Sequence, residues 1–156
     1  MSEFSHNLAV LIGIDSYSNG LSPLQTAVSD VKAIAAGWEL SAALRQDGTV
    51  ETWGAFSLGA GITNGDRIFA DGYDGAVILD DNTIVALRAA LPDGLTHAID
   101  ASYGSGLALA IRPDTSVVAW KNNANRHAPP PGITGIGLVE AGEVHGIAVV
   151  KPQPAP

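Results

Sequence analysis

Two aromatic side chains and a group of amides are the residues of this sequence best suited to hold a ligand. Trp38 and Tyr103 each lie near a turn, after a short run that ends in small residues. If exposed, such rings anchor a protein partner or a sugar ring, and if buried they are ordinary spacers. The polar loop 121–127 adds further hydrogen-bonding groups and is either a solvated connector or a binding loop. Its amides are Asn122, Asn123 and Asn125.

The residue types and their spacing give little support for a metal site or a catalytic site. The four histidines are scattered, and the oxygen-rich stretches 71–74 and 80–82 lack the spacing of an EF-hand, so turn chemistry explains them. The chain has no cysteine, which excludes a thiol nucleophile. It also lacks the G-x-S-x-G pattern of a serine hydrolase and the glycine–lysine spacing of a phosphate loop. We therefore predict no catalytic residue, no metal and no cofactor.

The composition limits the class of protein and its partners. A chain of 156 residues with 46% hydrophobic residues is long enough for one folded domain with a core. Its formal charge of −8 argues against binding to nucleic acid or to an anionic membrane surface. The apolar runs are too short to span a bilayer, and the start lacks the basic region of a signal peptide. We expect a soluble, cytoplasmic protein.

Three segments share one pattern: a β-rich run, an acidic turn and a second run that ends in a bulky apolar residue. Asp47, Asp81 and Asp114 stand at the turns, 34 and then 33 residues apart. Asp47-Gly48 between alternating apolar residues predicts a tight hairpin, because glycine tolerates the positive φ of such turns. The equivalent positions of Trp53 and Trp120 predict packing between neighbouring sheets.

A further short run precedes each hairpin, and a fourth, truncated copy of the unit occupies 137–150. This periodicity predicts a mainly β fold: a repeat-built, propeller-like assembly of about four short units. The stretch 33–54, "AIAAGWELSAALRQDGTVETWG", resembles a repeat of the regulator of chromosome condensation family, and 116–150 is similar to its shorter bacterial variant. The resemblance covers about 31–150. It implies the fold of a family that usually closes as seven-bladed β-propellers, with loops that bind a protein partner.

The front of the chain resembles a different family. The stretch 7–35, "NLAVLIGIDSYSNGLSPLQTAVSDVKAIA", is similar to the opening of a caspase-like (metacaspase) peptidase domain. Ser22 is a good N-cap and Pro23 suits a first helical turn, so we predict a helix over 22–29 and a strand over 32–36. Such peptidases need a cysteine, which is absent here, and we assign the His145-Gly146 pair to the repeat rather than to catalysis.

The predicted organisation is a caspase-like remnant over 1–30, a repeat domain over 31–150 and a Pro-rich tail over 151–156. About four units leave strand edges unpaired, so either the front strand completes the fourth unit or copies of the chain pair into an oligomer. The predicted function is a non-enzymatic protein-binding scaffold. Two alternatives remain open: a regulatory decoy of a caspase-like peptidase, and a lectin-like carbohydrate binder that uses Trp38, Tyr103 and the Asn-rich loop. The exchange activity known in the resembled family is not carried over, because this chain is short and acidic.

Overall fold

The chain folds as a series of small antiparallel sheets. The computed structural model describes residues 8–9, 28–54, 61–121, 129–130 and 133–151. Within these ranges every regular element is a strand, which confirms the predicted mainly β class. The described residues contain no helix that is long and apolar enough to cross a membrane.

The first two strands form a small sheet of their own. Strand β1 (Leu8–Ala9) pairs antiparallel with β2 (Val28–Ser29), and Leu8 lies opposite Ser29. The helix predicted over 22–29 is therefore wrong at its last two residues, because a cross-strand partner satisfies their backbone groups in an extended conformation; its other residues lie outside the described ranges. The part of the front strand that the structure describes pairs with β2 and not with the fourth unit.

Four repeated units follow, and each starts with a hairpin. Units 1, 2 and 3 are three-stranded sheets in sequential strand order, whereas unit 4 has two strands in the described residues. The strand predicted over 32–36 is confirmed, one residue longer, as the first strand of unit 1. Unit 1 contains β3 (Val31–Ala36), β4 (Leu40–Arg45) and β5 (Val50–Gly54); unit 2 contains β6 (Gly65–Asp71), β7 (Asp74–Leu79) and β8 (Ile84–Ala86); unit 3 contains β9 (Asp100–Tyr103), β10 (Ala108–Ile111) and β11 (Val117–Trp120); unit 4 contains β12 (Ile136–Ala141) and β13 (Gly146–Val150).

The three aspartates predicted at hairpin turns lie between the second and third strands of units 1 to 3. The Oδ1 atom of each accepts a hydrogen bond from the backbone N–H two residues on, at 2.9 Å in all three turns. The Thr49 and Ser116 hydroxyls also donate to Asp47 and Asp114, at 2.6 Å. These side-chain bonds, followed by the backbone bonds, hold the pKa of Asp47 and Asp114 below the ordinary value, and at Asp81 the backbone bond from Thr83 is the largest cause of the lowered pKa. The residue after each aspartate has a positive φ, a conformation that glycine and asparagine adopt most readily.

Three apolar clusters hold consecutive units together, face to face. Leu40 and Leu44 of unit 1 pack with Ile68 and Val77 of unit 2. The second cluster lies between units 2 and 3 and the third between units 3 and 4. The predicted packing of Trp120 between sheets is confirmed, because its ring lies against the cluster that joins units 2 and 3.

Candidate functional site

The loops between the first and second strands gather at one end of the array and bring aromatic residues from different units together. Trp38 is in this loop of unit 1, and its backbone N–H donates to the carbonyl oxygen of Gly72 in the same loop of unit 2, at 2.6 Å. Gly37 makes this approach possible, because a Cβ atom at that position would collide with the Gly72 carbonyl oxygen. The two loops therefore sit in direct contact.

The contact between the two loops creates an exposed aromatic cluster of Trp38, Tyr73 and Arg88. The Trp38 and Tyr73 rings meet edge to face, with centroids 5.2 Å apart and planes at 75°. The Arg88 guanidinium lies 5.5 Å from the Tyr73 ring centroid, and its Nη1 donates to the Tyr73 carbonyl oxygen at 3.3 Å. Trp38 is 68% exposed and Tyr73 42% exposed. The cluster is thus held together and still open to a partner.

Tyr103 occupies a different environment from Trp38. The sequence placed Trp38 and Tyr103 at roughly equivalent positions, but Tyr103 is the last residue of β9, whereas Trp38 lies two residues beyond the end of β3. At the strand end the Tyr103 ring is buried and meets Trp120 edge to face at 5.4 Å. Burial, followed by the nearby Asp74 carboxylate, raises the pKa of the Tyr103 phenol. Tyr103 is therefore a structural residue.

A cation also accompanies the buried aromatic pair. The Lys121 Nζ atom lies 5.8 Å from the Tyr103 ring centroid and donates to the Gly104 carbonyl oxygen at 2.8 Å. It also faces the Asp74 carboxylate at 3.5 Å, and both side chains are mostly buried. These contacts tie unit 3 to the loop of unit 2.

A groove of about 330 Å³ follows the first strands of the four units. Its polar groups are paired across the unit boundaries: Arg67 Nη1 lies 2.8 Å from Asp100 Oδ1, and the Ser102 hydroxyl donates to Glu140 Oε2 at 3.0 Å. Burial raises the pKa of Asp100 despite the opposing effect of Arg67. Because these groups already satisfy one another, the groove holds units together and offers few unpaired polar atoms to a ligand.

The remaining predicted candidates lie partly outside the described residues. Asn122, Asn123 and Asn125 lie outside the described residues. The Asp71 Oδ1 atom accepts a hydrogen bond from the Gly72 N–H at 2.6 Å, which is turn chemistry. In the part of the chain that the structure describes, no three histidine or acidic side chains converge as a metal site would require.

Sequence reasoning missed Tyr73 and Arg88. They lie 35 and 50 residues after Trp38, and only the stacking of unit 2 on unit 1 brings them together. The repeat itself contained the signal. In the equivalent loops of units 1 and 2, Trp38 occupies the same position as Gly72, and Tyr73 follows Gly72 directly. An alignment of the loops as well as the hairpins would have placed Trp38 and Tyr73 side by side.

The fold is that of consecutive units of a β-propeller. The crystal structure of the CRINKLY WD40 ectodomain from the Arabidopsis thaliana receptor kinase ACR4 is 27% identical with a TM-score of 0.60, over 78% of this chain and 46% of that one. Prp20p from Saccharomyces cerevisiae, whose structure was described with its binding to Gsp1p and histones, is 14% identical with a TM-score of 0.61, over 80% and 45%. Yeast RCC1 (Prp20) bound to Kap60 matches at 14% with a TM-score of 0.56, over 86% and 46%.

These likenesses support the predicted repeats of the regulator of chromosome condensation type. The chain spans a little under half the length of the propellers it matches. No family model and no curated protein sequence matches it. The predicted caspase-like resemblance of 7–35 gains no support from these comparisons.

Proposed function

We propose that this protein is a non-enzymatic binding module that recognises a protein partner through the exposed aromatic cluster of Trp38, Tyr73 and Arg88. The observation that carries the proposal is the exposure of a fixed tryptophan–tyrosine pair at the loop end of a propeller-type array. A similar propeller, yeast Prp20, binds proteins: its structures were described with its binding to Gsp1p and histones and bound to Kap60.

The residue types of the cluster support a protein partner. Tryptophan, tyrosine and arginine are the residues most enriched among those that dominate binding energy at protein interfaces. Their contacts with one another fix the rings before binding, so little side-chain entropy remains to be lost when a partner arrives. The Arg88 guanidinium adds a cation, and we expect the partner to offer an acidic or carbonyl group beside an apolar side chain.

The polar groove is a poorer candidate. A ligand there would have to replace the Arg67–Asp100 ion pair or the Ser102–Glu140 hydrogen bond, both of which join neighbouring units. Breaking such a contact leaves a buried polar group without a partner and costs about 1–3 kcal/mol. The exposed aromatic cluster carries no such penalty, which is why we assign recognition to it.

Quantitative affinity enrichment tests the proposal. Wild-type protein and the Trp38→Ala variant are immobilised and exposed to a lysate, and each protein retained by the wild type is then purified and its Kd measured. We expect at least one specific partner whose affinity falls about thirtyfold or more in the variant, since a hot-spot truncation costs about 2 kcal/mol or more.

A matched control and a rival class of ligand make this test decisive. Gln46 is exposed at the opposite end of the unit 1 hairpin, so Gln46→Ala should bind every partner as the wild type does. A glycan array with the same variants tests the lectin-like alternative. A sugar whose binding depends on Trp38, in the absence of any protein partner that does, would overturn the proposal.

The decoy hypothesis and the cytoplasmic location stay predictions. Most of the caspase-like stretch lies outside the described residues, and the described parts, 8–9 and 28–35, are strand residues apart from Asp30. A pull-down with a caspase-like peptidase, repeated after removal of residues 1–20, tests the decoy hypothesis. Cell fractionation tests the location.

A further inference from the structure

Units 1 to 3 have an equivalent position directly after the bulky apolar residue that ends each hairpin. It is occupied by Gly54, Arg88 and Lys121. Both cations reach back to a backbone carbonyl oxygen in the first loop of their own unit, Arg88 to that of Tyr73 and Lys121 to that of Gly104. A cation at this position can therefore act on the loop end of the array, where the exposed aromatic cluster lies.

Lys121 is the unusual residue of this set. Its φ is 77°, and the equivalent residue of unit 1, Gly54, also has a positive φ, a conformation that is disfavoured for a residue with a Cβ atom. Its side chain is only 11% exposed, although lysine is one of the residues that are most rarely buried. Because backbone and burial both disfavour a lysine here, the contacts of its ammonium group have to offset two local costs.

The ammonium group of Lys121 connects unit 3 to the tight turn of unit 2. Its Nζ donates to the Gly104 carbonyl oxygen of its own unit at 2.8 Å and lies 3.5 Å from the Asp74 carboxylate of unit 2. Asp74 is paired with Asp71 across a turn whose two central residues are Gly72 and Tyr73. Lys121 thus holds the turn that carries the tyrosine of the exposed cluster.

The same turn holds Trp38. The Gly72 carbonyl oxygen accepts a hydrogen bond from the Trp38 backbone N–H at 2.6 Å, and the Tyr73 ring meets the Trp38 ring edge to face. The Gly72 N–H in turn donates to Asp71 Oδ1 at 2.6 Å, which orients the turn. A displacement of the turn would therefore move both the backbone acceptor and the ring that position Trp38.

We propose that Lys121 is a positioning residue of the partner site. Through Asp74 it fixes the turn of unit 2, and the turn fixes Trp38 in the orientation in which it meets the partner. The inference rests on the proposed function, because it gives Lys121 a part in presenting the same aromatic cluster. Three consecutive units then contribute to one site: unit 1 and unit 2 supply the rings, and unit 3 supplies the cation that holds them in place.

The rival interpretation is that Lys121 contributes only to general stability, and Arg67 provides the control. Arg67 Nη1 of unit 2 lies 2.8 Å from Oδ1 of Asp100 in unit 3, and that carboxylate is buried. This ion pair joins the same two units as the pair of Lys121 and Asp74, but it lies in the groove along the first strands. Arg67→Met and Lys121→Met therefore break matched contacts, and only the second acts on the turn of unit 2.

Fluorine NMR of protein labelled with 5-fluorotryptophan measures the environment of Trp38 without any partner. The sequence has three tryptophans, and Trp38→Phe identifies the resonance of Trp38. Tyr73→Ala gives the chemical shift of a Trp38 ring that has lost its neighbour. We expect the Trp38 resonance to move toward that value in Lys121→Met and in Asp74→Asn, and to keep its wild-type position in Arg67→Met. Asp74→Asn keeps the shape of the side chain, so it provides the test if Lys121→Met does not fold.

The Kd of the partner that depends on Trp38 completes the test. Lys121→Met should weaken binding about tenfold, because rings that were fixed in advance must then be ordered on binding. Arg67→Met should bind as the wild type does. An unmoved Trp38 resonance in folded Lys121→Met, or an equal movement in Arg67→Met, would overturn the positioning role.

The two readouts separate this inference from the proposed function. If Trp38→Ala weakens binding but Lys121→Met moves the Trp38 resonance and leaves the Kd unchanged, the positioning role in recognition is overturned. If Trp38→Ala leaves every Kd unchanged, the proposed function fails, whereas the resonance still decides whether Lys121 positions the ring.

Discussion

Two tyrosine–tryptophan pairs in this protein have nearly the same geometry and opposite surroundings. Trp38 and Tyr73 meet edge to face at 5.2 Å, and Tyr103 and Trp120 do so at 5.4 Å. Each tyrosine ring also has a cation near its face, Arg88 or Lys121. Exposure separates the pairs, since Tyr73 is 42% exposed whereas Tyr103 is 8% exposed. Local ring geometry therefore does not reveal a binding role, and burial decides whether a pair stabilises the fold or remains open to a partner.

The largest effect is expected at the buried pair. Tyr103→Ala removes a large buried ring between units 2 and 3 and should lower the free energy of unfolding by about 3–5 kcal/mol. Tyr73→Ala removes the same side chain from the exposed pair and should change it by no more than about 0.5 kcal/mol. Urea denaturation measures both values. Equal losses in the two variants would abolish the distinction between the pairs.

Of the two cations, Lys121 beside the buried pair should contribute more to the free energy of unfolding than Arg88 beside the exposed pair. Lys121→Met leaves the mostly buried Asp74 carboxylate without its partner and should cost about 3 kcal/mol, as for other broken buried ion pairs. Arg88→Met acts at an exposed side chain and should change the free energy of unfolding by no more than about 0.5 kcal/mol. Thermal and urea denaturation at one pH provide the comparison. A larger loss in Arg88→Met than in Lys121→Met would be inconsistent with this account.

The glycines beside each pair provide a third comparison. A Cβ atom on Gly37 would strike the Gly72 carbonyl oxygen, and one on Gly104 would strike that of Gly142. Each alanine variant should therefore cost about 1–3 kcal/mol, as overpacked sites do. Only Gly37→Ala should also weaken binding of the protein partner, because it displaces the loop that carries Trp38. Equal partner affinity in the two variants would place recognition elsewhere.

Alkaline pH should test the burial of the Tyr103 phenol. Burial and Asp74 raise the pKa of Tyr103 above the ordinary value of 10.0, so its contribution to stability is complete below pH 10 and is lost as the pH rises beyond that value. Tyr103→Phe should therefore lose less stability than the wild type between pH 9 and about 11. Parallel pH profiles for Tyr103→Phe and the wild type would contradict the assignment.

The smallest effect on stability is expected at Trp38. An exposed side chain of a loop adds little to the core, so Trp38→Ala should change the free energy of unfolding by about 0.5 kcal/mol or less. The same variant should lose most of its affinity for the partner. A large loss of stability would show that Trp38 is a structural residue like Tyr103.

The sequence predicted the parts of the fold that repeat. The spacing of Asp47, Asp81 and Asp114 located the three complete hairpins, because a tight turn demands particular residues at fixed positions. The last two residues of the predicted helix were wrong because Val28 and Ser29 pair with β1, and such a long-range partner leaves no local signal.

The candidate site was predicted only in part. Trp38 was identified by its type and by its position near a turn, but the same argument selected Tyr103, which is buried. Tyr103 stands at the end of its strand, where a neighbouring sheet covers its side chain, whereas Trp38 lies two residues further along, in the open loop. Tyr73 and Arg88 join Trp38 only through the stacking of unit 2 on unit 1, which the pattern of single residues does not encode.

The most direct test of the central claim is the Kd of the enriched protein partner for Trp38→Ala, measured beside Tyr103→Phe under conditions where both variants are folded. We predict about thirtyfold weaker binding or more for Trp38→Ala with an unchanged unfolding midpoint, and wild-type affinity for Tyr103→Phe. Wild-type affinity in the folded Trp38→Ala variant would contradict the claim that the exposed aromatic pair is the recognition site.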